Sequence, residues 1–442
     1  VAAKPAPTAA APAGPNARSV ARRLLVAVFE RRMSLDDALD ADGPAAALAP
    51  RDRGFAHLLA ATVLRRQGTI DAVLNRCMSR PLPEGAVSAR TVLRLGAAQL
   101  LFLGTPGHAA VATSVDEVKR MRGGVPFAPL VNAVLRRIER DGEVLMAGLD
   151  PLALDTPEPL RTAWIEAYGE ETARAIAEAH AAQPPLDLTV KSDPQAWAGR
   201  LGGIVMPGGS VRVPATTRVP DLPGFSEGGF WVQDLAASWP ARLLGARRGE
   251  TALDLCAAPG GKTAQLALGG ALVTAVELSP ARAGRLRENL ARLQVEARVL
   301  EADATFFQAD PLFDAVLLDA PCSATGTIRR HPDIAHLKAG ADLRSILGLQ
   351  DRLLDTAAAA LKPGGRLVYA VCSLDPREGQ ERVEALLART PTLLRAPFTE
   401  AELALLPEAR TPEGWFRTLP CFRSALGGMD GFFAARLTLA GP

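Results

Sequence analysis

Cysteine is scarce in this chain. Five occur in 442 residues (Cys77, Cys256, Cys322, Cys372 and Cys421), and none forms a Cys-x-x-Cys pair. That spacing disfavours zinc sites and a disulfide framework, so no metal is expected and a reducing compartment suits the chain. Long apolar runs are missing too: nothing approaches the ~18 residues of a spanning helix, so no membrane association is expected. A charged-then-apolar leader pattern is also lacking, which points to a cytoplasmic protein. Aromatics are few, and the apolar half of the composition is rich in Ala and Leu, as in soluble globular chains. The net charge of +2 is small but unevenly spread, since residues 17–142 hold 19 Lys and Arg against 12 Asp and Glu. A basic surface is the electrostatic minimum for binding nucleic acid, although many basic domains bind none.

A chain of this length suggests roughly two to four domains. Residues 1–17 are Ala/Pro-rich and read as a disordered tail. Residues 18–142 read as an all-helical basic bundle. Val20, Leu24 and Val28 fall on one face of the first helix, with arginines opposite, and amphipathic stretches follow at 54–66, 90–103, 109–121 and 129–140. Residues 143–184 read as a helical connector. Short β-like runs separated by Gly and Pro mark a small α+β module over 185–240. From 241 to 442 the pattern alternates. "TALDLCA", "LVTAVEL", "ARVLEAD", "DAVLLDA" and "RLVYAVCS" have strand length, and a helix is expected over 343–361. Apolar strands alternating with helices predict a doubly wound, Rossmann-like parallel sheet, which binds ligands at the carboxyl ends of its strands.

Those ends carry the informative residues. The first strand runs into "DLCAAPGGKT", where Gly260 and Gly261 let a ligand approach a helix N-terminus. A P-loop would need Gly at position 256, where this chain has Cys. Glu277 ends the second strand, where an acid can bind ribose hydroxyls, and Asp303 ends the third, within reach of an adenine amino group. Asp319 ends the fourth. Three acids in succession predict a nucleoside site. "DAPCSATGT" and "YAVCSLDP" then each place a Cys directly before a Ser at a strand end.

The segments "DLCAAPGGKT", "DAPCSATGT…RHPD" and "YAVCSLDPREG", in this order, resemble the RsmB/Sun family of RNA cytosine-5 methyltransferases. "MDGFFAARL" at 429–437 resembles its closing strand, and "VDEVKRM" with "LVNAVLRRIER" resembles the NusB-like domain of the branch acting on 16S rRNA. Three departures are visible. Val371 stands where the family usually has Thr, Ala324 stands where Gly is usual, and "LDLTVKSD" at 186–193 replaces an Arg-x-Asn segment.

The resemblance implies a 16S rRNA methyltransferase using S-adenosylmethionine, held by Cys256, Ala257, Ala258, Pro259, Gly260, Gly261, Lys262, Glu277, Asp303 and Asp319. Carbon 5 of cytosine is a poor nucleophile until a thiolate adds to carbon 6 and makes the ring enamine-like. The resemblance implies that Cys372 attacks carbon 6, that Cys322 helps to resolve the adduct, and that Asp319 interacts with ring nitrogen 3. Chemistry alone does not order the two thiols, because DNA cytosine methyltransferases use a Pro-Cys nucleophile like Pro321-Cys322. The target base must leave its stack, so a flipped or single-stranded nucleotide is implied. Arg329 and Arg330 are expected to touch RNA phosphates, and Lys262 to contact either cofactor or phosphate. Two alternatives stay open: the same chemistry on tRNA or another RNA, and a non-catalytic RNA-binding protein on the same fold.

Overall fold

The computed structural model describes residues 16–214 and 218–441. The expected tail lies outside the described residues up to position 15, whereas Asn16 caps the first helix and Ala17 begins it. The chain divides into two compact units. One holds the chain through Pro157 together with His331–Leu337, and the other holds Glu158–Arg330 and the chain from Lys338 onward.

The first unit is helical. Its opening helix, Ala17–Arg31, starts in a capping box: Asn16 Oδ1 accepts from the N–H groups of Arg18 and Ser19, and Ser19 Oγ accepts from the Asn16 N–H. Val20, Leu24 and Val28 are buried as expected, and Ala21 and Leu25 widen the stripe. Its arginines are partly internal: Arg23 grips Asp42 at two points and Arg22 pairs with Glu117 at 3.0 Å. The four later amphipathic stretches fall in helices Pro50–Arg65, Val87–Leu101, Gly107–Arg120 and Ala128–Met146. A helix at Gln67–Cys77 joins them. Helix 87–101 packs closely on helix 128–146, because a Cβ added at Gly96 would lie 2.5 Å from Leu135 Cδ1.

The segment His331–Leu337 packs with this helical unit. His336 Nε2 sits 2.8 Å from the Leu64 carbonyl, and its ring meets Phe29 edge-on. Arg32 donates to the carbonyls of His336 and Leu337, and His331 lies 3.3 Å from Asp36.

The second unit opens with helices Glu158–Tyr168 and Glu170–Ala181. A small antiparallel sheet follows, built from β1 (Leu186–Val190), β2 (Ile204–Val205), β3 (Val211–Val213) and β4 (Phe230–Val232) in the order β2-β3-β1-β4. Helix Pro194–Leu201 completes the α+β module.

The large sheet contains β5 (Thr251–Leu255), β6 (Leu272–Glu277), β7 (Arg298–Glu301), β8 (Phe313–Asp319), β9 (Leu361–Val371), β10 (Leu393–Arg395), β11 (Phe416–Thr418) and β12 (Phe432–Leu439). Its order is β7-β6-β5-β8-β9-β12-β10, with β11 pairing on β12. Strands β5 to β9 are mutually parallel, and β12 enters antiparallel beside β9. Ala252, Leu253, Leu255, Val316, Leu317 and Leu318 are fully buried, which is why these strands read as unbroken apolar runs. The helix expected over 343–361 spans Arg344–Ala359; Leu361 already begins β9. The chain crosses from β7 to β8 past β6 and β5, so the strand order reverses between β5 and β8. The carboxyl ends of β5 and β8 therefore flank the crevice where such sheets bind ligands. Among the described residues, no helix is long and apolar enough to cross a membrane.

Candidate active site

The loop after β5 is shaped for close approach. Cys256 and Gly260 both adopt positive φ (61° and 102°), and helix Gly261–Leu268 begins directly after. A Cβ at Gly260 would lie 2.4 Å from Leu286 Cδ1, so only glycine fits there. Below the loop Asp254 is 1% exposed, and its Oδ2 accepts from the Thr263 hydroxyl at 2.6 Å, while Oδ1 has no partner. Burial pushes the Asp254 carboxyl up to about 7, with Thr263 and Lys262 offsetting it in part.

Glu277, at the end of β6, is not on an open edge. It is buried and accepts from the N–H groups of Ala258 (3.3 Å) and Ser279 (3.1 Å), so it pins the loop. Asp303 accepts from the Thr305 hydroxyl and N–H, and these bonds hold its carboxyl below the usual range. Burial, followed by the nearby Asp319, Glu277 and Asp254, pushes the Cys256 thiol up to about 12, so it is no nucleophile. This donor set fits S-adenosylmethionine. Carboxylates stand at successive strand ends, and an acceptor without a partner lies under the loop.

Across the crevice the two thiols meet. Cys322 follows β8 and Cys372 follows β9, and their sulfurs are 3.4 Å apart. Hydrogen bonding to the Cys372 sulfur, then burial, pushes the Cys322 thiol well above its ordinary value. Val371 and Tyr369 pack in the core on one face of β9, and Ala370 and Cys372 pack on the other. The alternation of a strand therefore points residue 371 away from Cys372, and a Thr hydroxyl there would not reach the thiol.

Lys262 contacts Asp319 at 2.6 Å, with its ammonium 5.3 Å from the Phe432 ring centre. Burial works against that ammonium, but Asp319 and then Asp254 outweigh it and raise its affinity for the proton. Lys262 thus lies between the cofactor loop and the thiols.

Arg329 does not reach an RNA phosphate. It is 1% exposed, and its guanidinium bonds Asp430 (3.1 Å), Asp234 (2.8 Å) and the Gly427 carbonyl (2.6 Å). Arg330 also holds Asp430, at 2.8 Å, but a third of its side chain is exposed. Burial raises the thiols of Cys77 and Cys421, as befits structural cysteines. One site residue went unread in the sequence: Glu378, fully buried, bonds both Cys-Ser loops. Its only signal was its place inside the quoted "YAVCSLDPREG".

Residues 241–438 match the family model described as 16S rRNA methyltransferase RsmB/F, and residues 15–140 match the NusB family. The ribosomal RNA small subunit methyltransferase B of Pseudomonas putida is 37% identical over 443 residues, covering 96% of this chain and 98% of that one. The protein of the same name from Cronobacter sakazakii is 35% identical over 446 residues, with the same coverage. Among solved structures, PH0851 shares the fold across 95% of this chain and 98% of its own, with a TM-score of 0.71 at 22% identity. Identity of this extent over nearly the whole length, together with the two matched domains, shows that the chain belongs to the RsmB/F family of S-adenosylmethionine-dependent RNA cytosine-5 methyltransferases.

Proposed function

We propose that this protein methylates carbon 5 of a cytosine in 16S rRNA, with Cys372 as the nucleophile, Cys322 as the group that releases the product, and the Lys262–Asp319 pair acting on ring nitrogen 3. The observation that carries the reading is the 3.4 Å separation of two thiols at the crevice end of neighbouring parallel strands. Core cysteines have no reason to gather there. S-adenosylmethionine supplies an electrophilic methyl group, with the 256–262 loop, Glu277 and Asp303 as its binding residues.

The Cys372 thiolate adds to carbon 6, and a proton delivered to nitrogen 3 takes up the charge that develops on the ring. Lys262 is charged and bonds Asp319, so its ammonium is the proton source within this pair. Bond formation turns Cys372 from an anion into a neutral thioether. The hydrogen bond to an anionic sulfur and the charge beside Cys322 are then gone, which eases loss of its proton to solvent although burial still opposes it. The Cys322 thiolate takes the carbon 5 proton after methyl transfer, the carbon 6–sulfur bond breaks to return the Cys372 thiolate, and nitrogen 3 gives its proton back to the Lys262–Asp319 pair.

The exposed portion of Arg330 and the basic helical unit, with Lys119, Arg120 and Arg122 on its surface, are assigned to RNA. An rRNA substrate places the enzyme in the cytoplasm. The test is a pair of variants incubated with cofactor and unmethylated small-subunit rRNA. Cys372→Ala should give neither product nor covalent complex. Cys322→Ala should accumulate a denaturant-resistant protein–RNA adduct. The opposite pattern reverses the roles, and full methylation by both variants removes covalent catalysis.

A further inference from the structure

Each thiol is followed by a serine, and the chemistry above uses neither hydroxyl. Both converge on one buried carboxylate. Glu378 lies in the turn Pro376–Glu378 and is 0% exposed. Its Oε1 accepts from the Ser373 hydroxyl at 2.6 Å and from the Ser323 hydroxyl in a shorter bond. Its Oε2 accepts from the Ser323 N–H at 2.8 Å and from Gln350 Nε2 at 3.1 Å, and the two serine oxygens are 3.1 Å apart. Four donors fill the four acceptor positions of a carboxylate, which is what permits a charge at this depth. Gln350 also donates to the Pro321 carbonyl, and the Tyr369 hydroxyl donates to the Glu378 carbonyl, so the turn is itself held from two sides.

We propose that Ser323, Ser373 and Glu378 are positioning residues: a buried clamp that fixes the two thiols at the separation needed to serve one cytosine in succession. The strands set the backbone only as far as Asp319 and Val371, where β8 and β9 end. Beyond them, bonds from Gly326 N–H to the Cys372 carbonyl and from Leu374 N–H to Thr325 Oγ1 tie the two loops together. The carboxylate accepts from both residues that directly follow the sulfurs, and their hydroxyls also lie 3.1 Å from each other. Charge-assisted bonds to a common acceptor resist sliding of one loop past the other, and reacting groups displaced by ~1 Å lose on the order of 100-fold in rate.

The proposal rests on the reading that both thiols act on one base, so its test includes a readout that does not depend on methylation. The variants are Ser323→Ala and Ser373→Ala, each removing one oxygen. Glu378→Ala is avoided because it leaves four buried donors unpaired. In single-turnover reactions of the full-length protein, Ser373→Ala should slow adduct formation about 10- to 100-fold. Ser323→Ala should instead slow adduct decay, and both should keep the wild-type cofactor affinity by calorimetry. Independently, diamide should oxidise the wild-type pair quickly to a Cys322–Cys372 disulfide. Each thiol loses one hydrogen and the azo bond of diamide is reduced to a hydrazine. Either serine variant should slow that step about tenfold or more, read by thiol count and a mass loss of about two hydrogens.

If both variants form and resolve adduct, and oxidise, at wild-type rates while Cys372→Ala forms none, the clamp is wrong and the thiol roles stand. If Cys372→Ala still forms adduct, the thiol roles are wrong and the oxidation rates alone decide the clamp. Equal slowing of both steps and weaker cofactor binding in both variants would overturn the inference in favour of general loosening of the fold.

Discussion

Replacing Arg329 with Met separates a structural arginine from an RNA contact. Met keeps much of the apolar stem and removes three bonds, to Asp430, Asp234 and the Gly427 carbonyl. Asp430 keeps Arg330, and Asp234 Oδ1 keeps the N–H groups of Ala236 and Asp430, so Asp234 Oδ2 bears most of the loss. Stripping one partner from a buried ion pair costs roughly 3–5 kcal/mol, and the surviving partners put this case near the lower figure. For a unit of this size that corresponds to a fall in Tm of roughly 5 °C. Burial opposes ionisation of Asp430, but Arg330 and Arg329 outweigh it and hold its carboxyl below the ordinary value. A depressed carboxyl contributes stability above its unfolded pKa, near ~4, and loses it as pH falls through the folded value. The difference between wild type and variant should therefore be full at neutral pH and narrow below pH ~4. Thermal unfolding by circular dichroism reads the first effect, and salt titration of RNA binding supplies the control. A phosphate contact would instead leave Tm unchanged and reduce the slope of log affinity against log salt by about one. That result would refute the burial argument.

Glu277→Gln should weaken S-adenosylmethionine about tenfold or more in calorimetry, the scale of one charge-assisted bond, and unchanged affinity would remove Glu277 from the ribose. Replacing Lys119, Arg120 and Arg122 by Ala should lower the salt slope of RNA binding by about two, with methyl transfer at saturating RNA unaffected; an unchanged slope would move the RNA to another face. Asp254 has a raised carboxyl, so the folded state keeps a proton that the unfolded state releases, and stability falls as pH rises from about 4 towards 7. Asp254→Asn cannot ionise and should gain up to roughly 4 kcal/mol relative to wild type between pH 4 and pH 8, measured by urea unfolding; parallel curves would contradict the burial of that charge.

The large sheet was legible because burial on both faces turns each strand into an unbroken apolar run, and the topology rule then points to the residues at the strand ends. That rule points to Glu277, Asp303, Asp319 and both thiols, which the fold brings to the strand ends. What stayed hidden depends on partners distant in sequence. Arg329 looks like a surface cation until Asp234 and Asp430, each about a hundred residues away, close around it. The segment His331–Leu337 begins inside the quoted "RHPD", yet it packs with the helical unit through contacts to Arg32, Asp36 and Leu64. Val371 is next to the thiol in sequence only. In a strand, adjacency means the opposite face.

The same alternation explains why the doubled Cys-Ser pattern is more than a repeated word. Where a strand ends, consecutive side chains still diverge, so a thiol facing the substrate places the next residue towards the interior. An apolar residue there would pack but would tie its loop to nothing in particular. A serine brings a donor into a place where an unpaired donor is costly, and the shared acceptor must then come from elsewhere in the chain. Glu378 meets that need for both loops at once, with its four donors accounted for. The hydroxyls thus convert two separate strand ends into one unit, and the 3.4 Å between the sulfurs becomes a property of the buried network behind them.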